Sequence, residues 1–142
     1  MRQKTDTPRW IAALLSIPWI LPIARTALVS AFLVGGTQKL VDFPTAVAEQ
    51  AHFGLQPAWL WAAAAIVVEL GGSVLVIFGR WVWLGAGGLG VLTAVAMLTA
   101  NDFWARVSQD RFMAVNAFFE HLGLVAGLVL ISILSLRKES AL

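Results

Sequence analysis

Residues 58–79 read AWLWAAAAIVVELGGSVLVIFG, an apolar stretch that is long enough to cross a bilayer as a helix. A bilayer core of about 30 Å needs about 20 apolar residues at about 1.5 Å of rise per residue. Trp59 and Trp61 stand at one end, and Trp81 and Trp83 lie just past the other. Tryptophan is enriched at both membrane–water interfaces, so this placement predicts a transmembrane helix.

Glu69 is the exception in this stretch, because it places an ionisable side chain near the middle. A carboxylate at this depth costs at least about 2.5 kcal/mol on insertion scales. We therefore expect Glu69 to face the interior of a helix bundle, where it finds a partner or stays protonated.

The composition of the whole chain is that of a membrane protein. Hydrophobic residues make up 59% of the 142 positions and charged residues only 13%, and the mean hydropathy is +0.81. A soluble domain of this size would not reach these values. The length leaves room for about four transmembrane helices and for no separate catalytic domain. We predict one membrane domain over residues 1–142.

The composition also excludes several kinds of chemistry. The chain has no cysteine, so a disulfide, a thiolate metal site, an iron–sulfur cluster and a covalently attached haem are all excluded. We expect no metal site and no intrinsic cofactor. The basic residues lie mostly outside the apolar segments and form no stripe interleaved with aromatic residues, so no nucleic-acid partner is expected.

Three further apolar segments complete a predicted all-α membrane protein, a four-transmembrane-helix antiparallel bundle. The predicted spans are residues 22–39, 58–79, 82–100 and 112–136. The connection after the second span is so short that the third must run back beside it. Between the first two spans, Pro44 suits the first turn of a short surface helix and Gly54 its end, which predicts a helix over residues 45–53.

Residues 10–24 are apolar but contain Pro18 and Pro22, so they make a poor transmembrane helix. We predict an N-terminal interfacial or re-entrant helix that leads into the first span and is anchored by Trp10 and Trp19. Two alternatives stay open. The segment is part of the first span, or it is the apolar region of a cleaved signal peptide.

The basic residues are distributed unequally between the two ends of the predicted bundle. The end with both termini and the tight turn carries Arg2, Lys4, Arg9, Arg25, Arg80, Arg137 and Lys138, and the opposite loops carry Lys39, Arg106 and Arg111. The positive-inside rule therefore predicts both termini in the cytoplasm. The membrane that we expect is the bacterial inner membrane.

The fourth span carries polar residues at a depth similar to that of Glu69. Asn116 and Glu120 share one helix face, and His121 lies beside them. Counted at about 1.5 Å per residue from the outer boundary, Glu120 lies about 12 Å deep and Glu69 about 16 Å deep. If these faces meet, the four helices enclose a small polar cavity in the outer half of the membrane.

The first span supplies the basic partners for this predicted cavity. Arg25 lies about 21 Å deep by the same count, and its long side chain can reach back toward Glu69, so Arg25–Glu69 is the first predicted ion pair. Near the outer end of the same helix, the predicted contacts are Lys39 or Gln38 with Glu120 or Asn116. The candidate ligand-binding residues are therefore Arg25, Lys39, Glu69, Asn116, Glu120 and His121.

Three functions are compatible with this set of residues, and none assigns a catalytic residue. Two carboxylates at similar depth can relay a proton or hold a quinol hydroxyl, with His121 as donor or acceptor near neutral pH. Alternatively, the polar residues only fix helix packing in a structural or assembly subunit. The third interpretation is a small transporter or proton relay, although no inverted repeat is evident.

Several short motifs lie along residues 22–136. They are Arg25 and Gly35-Gly36-x-x-Lys39 on the first span, Gly54-Leu55-Gln56-Pro57 before the second, Val68-Glu69-Leu70-Gly71-Gly72 within it and Phe118-Phe119-Glu120-His121-Leu122-Gly123 on the fourth. In these motifs the chain resembles the DoxX family of small four-helix membrane proteins, which takes its name from a subunit associated with thiosulfate:quinone oxidoreductase.

The resemblance implies a bundle with a polar interior and a role near membrane redox chemistry. It implies an accessory subunit of a quinone-linked oxidoreductase, not a stand-alone enzyme, with a quinone-like or small polar molecule as the candidate ligand. The expected partners are the lipid bilayer and either other membrane redox subunits or further copies of the chain.

Overall fold

The structure is a computed structural model that describes residues 7–100, 103–105 and 107–139. Arg2, Lys4 and Arg106, which entered the charge count, lie outside these ranges. The described chain is helical, and its helices are α1 (Arg9–Leu15), α2 (Ile20–Val41), α3 (Phe43–His52), α4 (Ala58–Phe78), α5 (Val82–Ala100), a 3-10 turn (Phe103–Ala105) and α6 (Ser108–Glu139).

Four helices in the described ranges, α2, α4, α5 and α6, are long and apolar enough to cross a membrane. The predicted all-α class and the predicted four spans are therefore confirmed. The second and third spans end within one residue of the predicted positions, whereas α2 and α6 extend beyond the predicted 22–39 and 112–136 at both ends.

The transmembrane helices pack in chain order, with α2 against α4, α4 against α5 and α5 against α6, while α2 and α6 touch only slightly. A shared apolar core lies in the half of the bundle near the α4–α5 turn. It contains Val29, Phe32, Val76, Val82, Ala86, Leu89, Leu128 and Ile131. The helices therefore form an array whose last seam, between α2 and α6, is closed by few contacts.

The segment before the first span is divided between two helices. α1 ends at Leu15, a bend follows, and residues 20–24 already belong to α2. Pro22 is tolerated there because the first turn of a helix needs no backbone N–H partner. A separate N-terminal helix is confirmed, but it is shorter than predicted. Trp10 and Trp19 are 71% and 72% exposed, as suits interfacial anchors.

The short helix α3 lies against α4 and begins earlier than the predicted residue 45. The reason is Asp42, whose Oδ1 accepts a hydrogen bond from the backbone N–H of Thr45 at 3.2 Å and so caps the helix. Gly54 follows the end of α3 with φ of 75°, a left-handed conformation that favours glycine.

The cap gives a first prediction. Replacing Asp42 with alanine removes the acceptor, and we expect a loss of about 1 kcal/mol in the free energy of unfolding of α3. Hydrogen exchange of the α3 amides measures it. Asp42→Asn keeps a side-chain oxygen and is the matched control, which should exchange like the wild type. Equal exchange in all three proteins would contradict the role of the cap.

Candidate functional site

The polar centre of the bundle is an ion pair between α2 and α4. Lys39 Nζ donates a hydrogen bond to Glu69 Oε1 at 2.8 Å. The Glu69 side chain is 10% exposed and that of Lys39 22%. Glu69 lies about 16 Å along α4 from its first residue, close to the middle of the span. The predicted inward orientation of Glu69 is confirmed.

Two glycines on α2 make room for this ion pair. Helical side chains tilt toward the N-terminus, so Lys39 extends back along α2 toward Gly35. A Cβ atom on Gly35 would lie 3.7 Å from both Lys39 Nζ and Glu69 Oε2. At Gly36 a Cβ atom would lie only 2.9 Å from the Leu70 side chain and 3.1 Å from Glu69 Cβ, so α2 and α4 approach most closely there.

The second carboxylate oxygen of Glu69 is unsatisfied. Glu69 Oε2 is buried and has no hydrogen-bond partner among the residues that the structure describes. Buried acceptors without a partner are uncommon because they lose their hydration and gain nothing in return. The atom lies on the Gly35 side of the ion pair. A hydroxyl or N–H group of a ligand that reached it would gain a hydrogen bond.

Two depressions lie side by side near the C-terminal end of α2. The first, which we call the polar pocket, has a volume of about 330 Å³ and is lined by Gly35, Gln38, Lys39, Asp42, Thr45, Ala46 and Glu49 of α2 and α3. The second, the apolar groove, has a volume of about 660 Å³ and is lined by Leu33, Val34, Thr37, Gln38, Val41 and Asp42. Gln38 and Asp42 line both, so the two depressions are neighbours.

Arg25 does not take part in this site, and the predicted Arg25–Glu69 pair is wrong. Arg25 Nη2 donates to Ser135 Oγ on α6 at 3.1 Å. The guanidinium also packs against Gly79, where any Cβ atom would overlap Nη1. Arg25 lies about 15 Å from Gly35 along α2, whereas Lys39 reaches Glu69 directly.

The polar residues of α6 also lie away from the ion pair. Asn116 and Glu120 are exposed and form no hydrogen bond or ion pair with a described residue. His121 is half-buried, and its Nδ1 lies 2.6 Å from the carbonyl oxygen of Ala117 in the same helix. The predicted contacts of Lys39 with α6 are therefore wrong, and neither of the two depressions is lined by a residue of α6. Whether the three α6 residues bind a ligand stays a prediction.

The difference follows from how α6 packs. Along its length α6 lies against α5, and it approaches α2 near Gly127, where a Cβ atom would lie 2.8 Å from Leu28, and near Ser135. Both contacts are in the half of α6 that follows the polar residues. The face with Asn116 and Glu120 consequently does not turn toward Lys39.

Sequence reasoning missed the pocket residues of α3. Thr45 and Glu49 line the polar pocket together with Asp42. The signal was present in the sequence, because positions 42, 45 and 49 follow steps of three and four residues, which place side chains on one helix face. No group of three or more possible metal ligands occurs among the described residues.

Comparison with known proteins shows the family of the chain. The DoxX family model matches residues 20–102, which include both members of the ion pair but not α6. No curated protein matches the chain, and no solved structure does. The family match covers more than half of the sequence, and four helices can cross a membrane. The chain therefore belongs to the DoxX family and is a multi-pass membrane protein.

Proposed function

We propose that the protein is an accessory subunit of a quinone-linked redox system in the bacterial inner membrane, with both termini in the cytoplasm. Its part in that system is to bind a quinone-like ligand beside Lys39 and Glu69. The observation that carries the proposal is the buried, unsatisfied Glu69 Oε2, whose ion-pair partner Lys39 lines a polar pocket next to an apolar groove.

The chemistry of the two depressions suits an amphipathic ligand of this kind. A quinol ring carries hydroxyl groups that donate to a carboxylate, and the oxidised ring carries carbonyl oxygens that accept from an ammonium group. Glu69 and Lys39 supply these two functions side by side. The apolar groove, with Leu33, Val34 and Val41, suits a hydrocarbon tail. The volume of the polar pocket lies at the lower end of the range of about 300–1,000 Å³ usual for ligand sites.

Access to Glu69 Oε2 requires a side chain to move. Lys39 both lines the polar pocket and closes the ion pair, and it is the long, flexible member of that pair. When Lys39 swings into the polar pocket, the carboxylate faces the ligand. The family name supports the link to redox chemistry. The geometry around Lys39 and Glu69 supports the position of the binding site.

A second function is favoured by one observation. Lys39 already neutralises Glu69 and ties α2 to α4 at the close approach of Gly36. In a structural or assembly subunit the same ion pair would only fix the register of the two helices. A substitution outside the ion pair distinguishes the two functions. It should weaken ligand binding if the protein binds a quinone-like ligand here, and have no such effect if the ion pair only fixes helix register.

The test is isothermal titration calorimetry, in which a short-chain ubiquinone is titrated into the purified protein in lipid nanodiscs and its dissociation constant is measured. Gln38→Leu changes a residue that lines both depressions and lies outside the ion pair. We expect it and Glu69→Gln to weaken binding about tenfold, which corresponds to about 1.4 kcal/mol, one hydrogen bond to a charged or polar group.

Asp110→Asn is the matched control, because Asp110 is an exposed carboxylate in the first turn of α6 and is not a candidate ligand-binding residue. We expect it to bind the quinone like the wild type. Unchanged binding in Gln38→Leu and Glu69→Gln, with a lower melting temperature in Glu69→Gln, would support the structural subunit. A wild type that binds no quinone would contradict the proposed ligand.

A further inference from the structure

A third charged side chain inside the described bundle, Arg25, is not used by the proposed function. Arg25 is half-buried on α2, about 15 Å from Gly35 along the helix. Because its guanidinium packs against Gly79, it lies level with the turn between α4 and α5. This is the end of the bundle at which α2 begins and α6 ends.

The positive charge of Arg25 is not neutralised by any side chain that the structure describes. The ion pair found in the described ranges is Lys39–Glu69. Of the five N–H groups of a guanidinium, Arg25 uses one in a described hydrogen bond, from Nη2 to Ser135 Oγ. Its Nε is buried without a partner. A partly buried cation with unused donors is a site for an anion.

Further cations and interfacial residues lie at the same end of the bundle. Arg80 follows Gly79 in the turn, and Arg137 follows Ser135 on α6 by two residues; both are exposed. Trp19 and Trp81, at the same end of the bundle, are 72% and 65% exposed. Exposed tryptophans mark the depth of the lipid headgroups. Basic residues from α2, α6 and the α4–α5 turn are therefore grouped at the depth of the lipid phosphates.

We propose that Arg25 binds the phosphate of an anionic phospholipid of the phosphatidylglycerol type, with Arg80 and Arg137 at the rim of the site. A bound lipid phosphate accepts hydrogen bonds from guanidinium N–H groups that Ser135 leaves unused, and the acyl chains lie on the exposed apolar surface that includes Ile23, which is 63% exposed. A zwitterionic lipid is less suitable, because its own ammonium group already neutralises the phosphate.

The location of this site gives the lipid a structural effect. Arg25 and Ser135 bridge the seam between α2 and α6, which is closed by few other contacts. A phosphate that neutralises Arg25 holds the guanidinium in this bridge without a buried, unpaired charge. Anionic lipid should therefore stabilise the bundle as well as bind to it.

The test is native mass spectrometry of the detergent-purified protein mixed with equal amounts of phosphatidylglycerol and phosphatidylcholine. We expect wild-type protein to retain phosphatidylglycerol in preference, and Arg25→Gln to lower that preference about fivefold, the change expected for one arginine at an anionic surface. Arg111→Gln also removes one positive charge, but at the opposite end of α6, so this variant should keep the preference for phosphatidylglycerol.

Three results would overturn the proposal. They are equal retention of both lipids by the wild type, an unchanged preference in Arg25→Gln, and displacement of the lipid by excess inorganic phosphate, which would indicate a site for free phosphate. A second measurement needs no Arg25 variant. The melting temperature of wild-type protein should be higher in phosphatidylglycerol than in phosphatidylcholine at low salt, and equal melting temperatures would overturn the proposal even if Arg25→Gln does not fold.

Discussion

Replacing Lys39 with methionine is expected to lower the free energy of unfolding by about 3–5 kcal/mol. Methionine keeps the unbranched shape of the side chain but removes the ammonium group, so Glu69 stays buried without its partner. Removing one member of a buried ion pair costs this much because the remaining charge has lost both water and its counter-charge. Equilibrium unfolding in mixed detergent, followed by circular dichroism, measures the change.

The double variant Lys39→Met with Glu69→Gln separates charge from packing. It removes both charges and keeps the shape of both side chains, so we expect it to recover most of the lost stability. If the double variant is as unstable as Lys39→Met alone, the loss comes from the packing of the lysine stem and not from the uncompensated carboxylate. If Lys39→Met lowers the free energy of unfolding by less than about 1 kcal/mol, the ion pair contributes no more than one at a protein surface.

The inward orientation of Glu69 could be predicted from the sequence, because the cost of a carboxylate in hydrocarbon does not depend on which helix lies opposite. The ion-pair partner of Glu69 could not be predicted from the sequence. Counting at about 1.5 Å per residue gives the height of a residue along a helix but not the direction of its side chain. Lys39 reaches back toward the N-terminus of α2, and its Nζ lies beside Gly35, 3.7 Å from the position of a Cβ atom there.

The helical period likewise placed Asn116 and Glu120 correctly on one face of α6, but it could not say which helix that face meets. That depends on how the array of four helices closes. The structure has α6 against α5 and only slight contact with α2, so the face that carries Glu120 is exposed. A packing preference between distant helices is set by all their contacting side chains together, and one helix does not contain that information.

Replacing Gly85 with alanine is expected to cost about 1–3 kcal/mol in the free energy of unfolding, the usual cost of overpacking. A Cβ atom at this position would lie 2.6 Å from the carbonyl oxygen of Gly72 and 2.9 Å from the Cβ atom of Leu75, both on α4. Neither atom can rotate away, because one is backbone and the other is the first side-chain atom. The two helices must separate, which disturbs the neighbouring core residues Ala86 and Leu89.

Gly87→Ala is the matched control, because it makes the same chemical change one half-turn further along α5, where a Cβ atom would meet nothing within 4 Å. Alanine has the higher helix propensity by up to about 1 kcal/mol, so this variant should be neutral or slightly more stable. Opposite signs for the two variants, measured by the same unfolding titration, would place the effect in the α4–α5 contact. Equal losses would instead show that the exposed side of α5 is also a packing surface, since helix propensity alone predicts a gain at both positions.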